Sequence, residues 1–274
     1  MISNDNDCHF ETIIPYFRNR LKNRITRVRD MDFQTFRDQY LRPKVPVIIT
    51  DCMTEWPALS GDHKWTVDYI RSVCGYRTVP IEIGSKYTDE EWSQRLITVN
   101  EFIGQYLAPN SRCDTTGANR TGYLAQHNLF DQIVELMADI SVPDYCCVRA
   151  DEDREDEEVD VDINAWFGPK GTVSPLHFDP KDNLLAQVFG HKYVRIYSSD
   201  TPREAIYPND CRLLCNTSAV DLECVDSERF PAFEGLDDYY ECVLREGELL
   251  FMPTKCWHFV KSLSTSFSIS FWWK

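Results

Sequence analysis

From Val161 onward the chain is a succession of short apolar runs broken by turn residues. In order they are INAWFG (163–168), VSPLHFD (173–179), NLLAQVFG (183–190), KYVRIYS (192–198), YYECVLR (239–245), ELLFMP (248–253), WHFVKSL (257–263) and SFSISFWW (266–273). Each run is strand length and rich in β-branched or aromatic residues, and most are bounded by Gly, Pro, Asp or Ser. Strands this short and this closely spaced close into a sandwich or a barrel. The second half therefore reads as all-β, with few long helices of its own to cover its sheets.

The first half supplies the cover. VPVIITDC (45–52) and TVPIEIG (78–84) read as strands, and DFQTFRDQYL, WTVDYIRSVC and LFDQIVELMADI (129–140) read as helices. Residues 12–29 carry six basic residues and no acid, with Phe17, Leu21, Ile25 and Val28 at helical spacing, which predicts an amphipathic helix with a basic face. PNSRCDTTGANRTG (109–122) reads as a turn-rich loop and DEDREDEEVDVD (151–162) as a solvated acidic loop. The expected organisation is a basic helical segment over 1–30 and one catalytic domain over 31–274.

The formal charge of −15 disfavours direct binding to nucleic acid phosphates and favours a basic protein or peptide partner. Residues 1–10 lack the basic start and apolar run of a secretory signal. The eleven cysteines are odd in number and form no CxxC pair, as expected of reduced thiols in an intracellular protein, nuclear or cytoplasmic. No apolar run reaches the ~18 residues of a membrane span.

Two of the six histidines have neighbours that suggest chemistry. His177 and Asp179 stand at i and i+2 in SPLHFDPKDN, a spacing that puts both side chains on one face of a strand. His258 follows a turn, a strand and a proline, where the chain re-enters the sheet. Two imidazoles and a carboxylate form the facial triad of non-heme Fe(II) oxygenases, with positions left open. A lone H-x-D is more often a turn with a hydrogen-bonded histidine, and His9, His63 and His191 read in that ordinary way. An oxygenase of this kind needs electrons, and 2-oxoglutarate supplies them while chelating the iron beside O2. Its far carboxylate needs a cation. Many such enzymes place an Arg about ten residues after the second His, but that position here is Ser268. Lys192, fifteen residues after His177, is the candidate, and its ordinary alternative is a solvent-facing turn lysine after Gly190.

These motifs, INAWFGPKGTVSPLHFDPKDNLLAQVFGHKYVRIYS and FMPTKCWHFVKSLSTSFSISFWW, resemble the jumonji-C (JmjC) family of 2-oxoglutarate oxygenases. RTVPIEIGSKYTDEEWSQ and GYLAQHNLFDQI extend the resemblance, which runs from about residue 30 to the C-terminus. It implies a mainly β fold with surrounding helices, the double-stranded β-helix or jelly-roll of the cupin class. It implies Fe(II) on His177, Asp179 and His258, and 2-oxoglutarate held by Lys192 and Asn183. Ser174 and Tyr123 would add hydroxyls, and Trp272 would line the pocket.

Glu82, Tyr87 and Trp166 lie in the matching motifs as substrate-side candidates, with Asp89, Glu90 and Glu91 as other acids nearby. A guanidinium prefers a bidentate carboxylate, and a methylated ammonium prefers an aromatic cage. The sequence motifs rank arginyl C-3 hydroxylation first and demethylation of methyl-lysine in histones second. A JmjC module without catalysis would lack iron or cosubstrate residues, and a cupin isomerase or storage protein more often has extra metal histidines. The intact set in this chain disfavours both.

Overall fold

The computed structural model describes residues 23–84, 86–88, 91–108, 121–151 and 160–274. The expected 109–120 portion of the turn-rich loop, most of the acidic loop, and residues 12–22 of the basic segment lie outside the described residues.

Among the described residues the strands are β1 (Thr26–Val28), β2 (Val47–Ile49), β3 (Thr78–Ile83), β4 (Ser93–Thr98), β5 (Gly122–His127), β6 (Asp162–Gly168), β7 (Val173–Phe178), β8 (Asp182–Phe189), β9 (Lys192–Tyr197), β10 (Tyr240–Leu244), β11 (Leu249–Met252), β12 (Trp257–Ser262) and β13 (Ser266–Trp273). They form a larger sheet, ordered β1-β2-β11-β8-β13-β6-β5-β3-β4, and a smaller one, ordered β10-β9-β12-β7. From β6 onward the chain crosses repeatedly between the two. β6, β8, β11 and β13 belong to the larger sheet, while β7, β9, β10 and β12 belong to the smaller. That alternation is the jelly-roll expected from the strand spacing.

β13 shows how the sequence specifies two layers at once. Phe267, Ile269, Phe271 and Trp273 point outward into the core that holds Phe36, Trp56, Trp65 and Phe102 of the first half. Ser266, Ser268 and Ser270 alternate with them, and all three are buried. SFSISFWW is thus a period-2 strand whose two faces are both covered. The barrel interior holds Leu185, Val194, Ile196, Leu250, Met252 and Val260. The outer face of the smaller sheet buries Tyr193, Tyr197, Trp257 and Phe259 under Ile206, Phe230 and Phe233 from the β9–β10 connection. The second half therefore covers one of its sheets itself, and the N-terminal helices cover the other.

The helices expected at 33–41 and 67–74 are present, and that at 129–140 is interrupted at Ile133. The basic segment departs from expectation. Its described end is not helical: β1 pairs in parallel with β2, and Ile25 is buried in the barrel core. Ile25, Thr26 and Val28 are β-branched, and an unpaired edge of β2 was available, so pairing overrode the helical spacing. This strand lies on the N-terminal side of the boundary expected at residue 30.

The β8–β9 turn sets the position of Lys192. Gly190 has φ +76°, and a Cβ there would meet the Thr265 carbonyl oxygen at 2.2 Å. Both constraints require glycine. Gly190→Ala is expected to lower stability by about 2–3 kcal/mol, from left-handed backbone strain plus the displaced Ser264–Ser266 turn. Urea denaturation of the two proteins measures the difference.

Candidate metal centre

β7 and β12 pair antiparallel with His177 opposite His258. Two residues further along β12, Val260 is opposite Ser174, three residues back on β7. β7 therefore carries one extra residue, a bulge at Pro175–Leu176. Proline suits this place because a bulged residue has no ladder bond to lose. The bulge breaks the two-residue alternation, and Ser174 and His177 both line the same cavity. Asp179 lies just past the end of β7, where its carbonyl accepts the Lys255 amide at 2.9 Å.

The ligand atoms of His177, Asp179 and His258 lie within 4.8 Å of one another, the one such group among the described residues. His177 Nε2 is 3.7 Å from Asp179 Oδ1, and His258 Nε2 is 3.5 Å from Asp179 Oδ2. His177 Nδ1 is 2.7 Å from the Pro175 carbonyl, and His258 Nδ1 is 3.1 Å from the Cys256 carbonyl. A carbonyl only accepts, so both Nδ1 atoms carry a proton and both Nε2 atoms face the acid. Burial and the neighbouring His177 push the His258 pKa down to about 4, which keeps the ring neutral and ready to ligate. The Asn183 amide donates to Asp179 Oδ2 at 3.3 Å.

The pocket around the triad, its open mouth included, spans about 320 Å³. Lys192 reaches into it from the start of β9 and is 2% exposed, so it is not a surface turn lysine. Its ammonium donates to the Tyr123 hydroxyl at 3.2 Å. Burial alone pushes its pKa down to about 7. Tyr123, also buried, has its phenol raised by burial and by the charge of Glu82, and its hydroxyl lies near Ser174. Its ring fits against β6 because residue 168 is glycine: a Cβ there would stand 2.7 Å from Tyr123 Cδ2. Asn183 Oδ1 and Trp272 Nε1 are buried without a hydrogen-bond partner. These two residues are register partners on β8 and β13. Ser268 bonds Gln187 in the sealed interior, so no cation comes from that position.

A buried lysine with no ion-pair partner among the described residues and an unsatisfied amide beside two imidazoles and a carboxylate fit a divalent metal with an oxygen-rich anionic ligand. The residues present therefore fit Fe(II) and 2-oxoglutarate.

The expected substrate residues sit to one side. Glu82 on β3 is the register partner of Tyr123 on β5. It lines a second cavity of about 230 Å³ with Lys86, Trp92 and Tyr123. Burial raises its carboxyl pKa, and Trp92 opposes that shift. The Trp92 indole N–H is buried beside it without a well-formed hydrogen bond. The Tyr87 hydroxyl is 3.1 Å from Thr217 Oγ1. Its phenol is pushed up to about 12, chiefly by burial and further by Glu82 and Asp179. Trp166 lines the metal cavity and donates to Ser270 Oγ at 3.0 Å. Glu91 is exposed, and Asp89 and Glu90 lie outside the described residues. Of the ordinary histidines, His63 bonds Asp139 and His191 is exposed. Sequence reading missed Trp92, Thr217 and the apolar wall of Leu185, Met252 and Val260. The wall residues read as strand interior, and Thr217 stands in a turn-rich stretch without period.

A cupin-like domain model matches residues 33–274. The chain is 50% identical over 267 residues to a zebrafish (Danio rerio) protein named lysine-specific demethylase 8, covering 97% of this chain and 61% of that protein. It is 51% identical over 249 residues to the Xenopus tropicalis protein of the same name, covering 91% and 52%. Jumonji C domain-containing protein 5 of Drosophila melanogaster is 39% identical over 270 residues, covering 98% and 64%. The chain thus spans between half and two-thirds of the length of these relatives. With the jelly-roll, the triad and a family model over nearly the whole described length in agreement, this chain belongs to the cupin-like domain family, in its JmjC branch.

Proposed function

We propose that this chain is an Fe(II)- and 2-oxoglutarate-dependent oxygenase acting on a cationic side chain of a basic protein. The observation that carries the reading is Lys192, a buried lysine with no ion-pair partner among the described residues, in one cavity with two histidines and an aspartate. Iron held by His177, Asp179 and His258 would, with O2 and 2-oxoglutarate, supply oxidation of a substrate C–H bond with release of succinate and CO2. Lys192 neutralises the far carboxylate of the cosubstrate, and Tyr123 holds the lysine by its hydroxyl. Asn183 lines this cavity with a polar atom that the protein itself leaves unpaired, whereas its register partner Trp272, expected to line the pocket, is not among the lining residues. Leu185, Met252 and Val260 form an apolar wall that excludes water from the ion pair.

Two finer readings differ in substrate. The relatives' names support demethylation of a methyl-lysine, which reverses the order in which the sequence motifs rank the two chemistries. Tyr87, Trp166 and Tyr123 offer aromatic faces for a methylated ammonium. Hydroxylation of arginine at C-3 rests on Glu82, a largely buried carboxylate able to pair with a guanidinium. Both substrates are cations in a protein, consistent with the charge of −15. A nuclear or cytoplasmic site of action belongs to the same proposal. No helix among the described residues is long and apolar enough to cross a membrane. Mass spectrometry of arginine and methyl-lysine peptides after incubation with Fe(II), 2-oxoglutarate and O2 separates the readings: arginyl hydroxylation adds one oxygen atom, and demethylation removes a methyl group.

His177→Ala or Asp179→Ala is expected to abolish succinate release and to lower bound metal, since each removes one of three ligands. Wild-type succinate production by either variant would remove the metal assignment.

Lys192 gives a pH dependence. In the free protein its pKa lies at about 7, below the ordinary 10.5. The unfolded chain therefore holds that proton more tightly, and the burden on folding is fully present below about 7 and disappears as pH rises toward 10.5. A dianionic cosubstrate selects the ammonium. Its affinity should be level below about pH 7 and fall about tenfold per pH unit above it, with proton uptake on binding. Calorimetry in buffers of different ionisation heat measures that uptake. Lys192→Ala should weaken 2-oxoglutarate binding by about 3–5 kcal/mol, leave metal binding in place and abolish the proton uptake.

Glu82→Gln keeps the size of the side chain and removes its charge. It should weaken binding of the cationic peptide while leaving uncoupled 2-oxoglutarate turnover near wild type. Peptide turnover by the variant equal to wild type would remove Glu82 from the substrate site.

A further inference from the structure

β7 carries His177, is followed directly by Asp179, and lies at the edge of the smaller sheet. Its outer side is covered by residues 216–218, part of the long β9–β10 connection. Thr217 makes an antiparallel bridge to His177. The Ser218 amide donates to the Leu176 carbonyl at 2.7 Å, and the Phe178 amide donates to the Asn216 carbonyl at 3.0 Å. The Asn216 side chain closes the pair, its amide donating to the Phe178 carbonyl at 3.0 Å. Phe178 stands between His177 and Asp179, so Asn216 grips both sides of the one residue that joins the two ligands.

The strap is itself held. The Asn209 amide donates to the Thr217 carbonyl at 2.8 Å and its side chain donates to the same oxygen at 3.1 Å. Ser218 Oγ donates to the Ile206 carbonyl. Thr217 is 1% exposed, and its hydroxyl meets Tyr87 on the substrate side.

We propose that residues 209–218 are a positioning strap for the metal ligands on β7, with Asn216 as the positioning residue. This inference rests on the metal reading of the triad. The bulge explains the need for it. A strand with an extra residue at Pro175–Leu176 has lost regular pairing to β12 on the way into His177, and Asp179 lies beyond the strand with no ladder of its own. The strap restores two-sided hydrogen bonding at 176–178. It fixes the backbone from which both ligands project, the role that outer partners of metal ligands commonly have.

The test is Mn(II) affinity, read by the electron paramagnetic resonance of free Mn(II), alongside thermal melting of the metal-free protein. Wild type should bind, and His177→Ala should not. Asn216→Ala should bind about ten- to a hundredfold more weakly. Asn216→Asp, which keeps the volume but cannot donate, should lose as much, and it serves in place of the alanine variant should that fail to fold. Tyr145→Phe removes a buried hydrogen bond to the Met31 carbonyl outside the strap and the site, so it should lower the melting temperature while leaving Mn(II) affinity within about twofold. Mn(II) affinity of both Asn216 variants within twofold of wild type would overturn the strap. So would losses that merely track melting temperature across all three variants. Absence of Mn(II) binding by wild type would instead overturn the reading of the triad itself, and the strap with it.

Discussion

The antiparallel pairing of β7 with β12 is the constraint on which the site depends. It sets His177 opposite His258, two residues far apart in sequence, at a ring-centroid distance of 4.3 Å. Each ring is turned by a carbonyl two residues before it, Pro175 within β7 for one and Cys256 in the turn just before β12 for the other. The same local device thus orients both imidazoles. Everything else at the centre is arranged around that pair. The bulge admits Ser174 to the same cavity, and the turn after β7 delivers Asp179.

The barrel interior accepts polar cost in order to hold this site. Gln187, Ser262, Ser266 and Ser268 are buried and bonded among themselves or to backbone, as buried polar groups must be. Lys192, Asn183 and Trp272 are the departures: a cation with only a neutral phenol for company, and two atoms with no partner. A fold optimised for stability would replace them with apolar groups of the same shape. Stability is recovered in the layers outside, where the Phe and Trp side chains of β13 pack against the N-terminal helices and the Tyr and Trp side chains of β9 and β12 pack under the β9–β10 connection. The aromatic packing therefore lies just outside the barrel, while the interior mixes an aliphatic cluster with the buried polar groups of the site.

The strands of the barrel, the triad and Lys192 were legible from sequence because each leaves a short local mark: alternation, a two-residue spacing, a cation at a strand start. Asp179 was placed on the right side for a partly wrong reason, since it stands beyond β7 rather than within it. The described end of the basic segment was misread because Ile25 and Val28 satisfy helical spacing and strand pairing equally well, and only the open edge of β2 decides. The strap was illegible for a different reason. PNDCRLLCNTS has no period, and its bonds to β7 are mostly backbone bonds, which any residue can make. Chemistry held by side chains shows in a sequence, whereas chemistry held by main chain does not.

The extension β6-β5-β3-β4 of the larger sheet ties the two halves of the site together. β5 pairs with β6 at Leu124 opposite Phe167, and this attachment carries Tyr123 to Lys192. β3 pairs with β5 at Glu82 opposite Tyr123, and this one register step carries the substrate-side acid to its cavity. Tyr123 on the proposed cosubstrate side and Glu82 on the proposed substrate side are thus the two ends of one rung. The charge of Glu82 already acts on the Tyr123 phenol, and those of Glu82 and Asp179 both act on Tyr87. A cation brought to Glu82 changes the field at Tyr123, and Tyr123 is the residue on which the Lys192 ammonium rests. A single strand pairing thus holds both proposed contacts side by side.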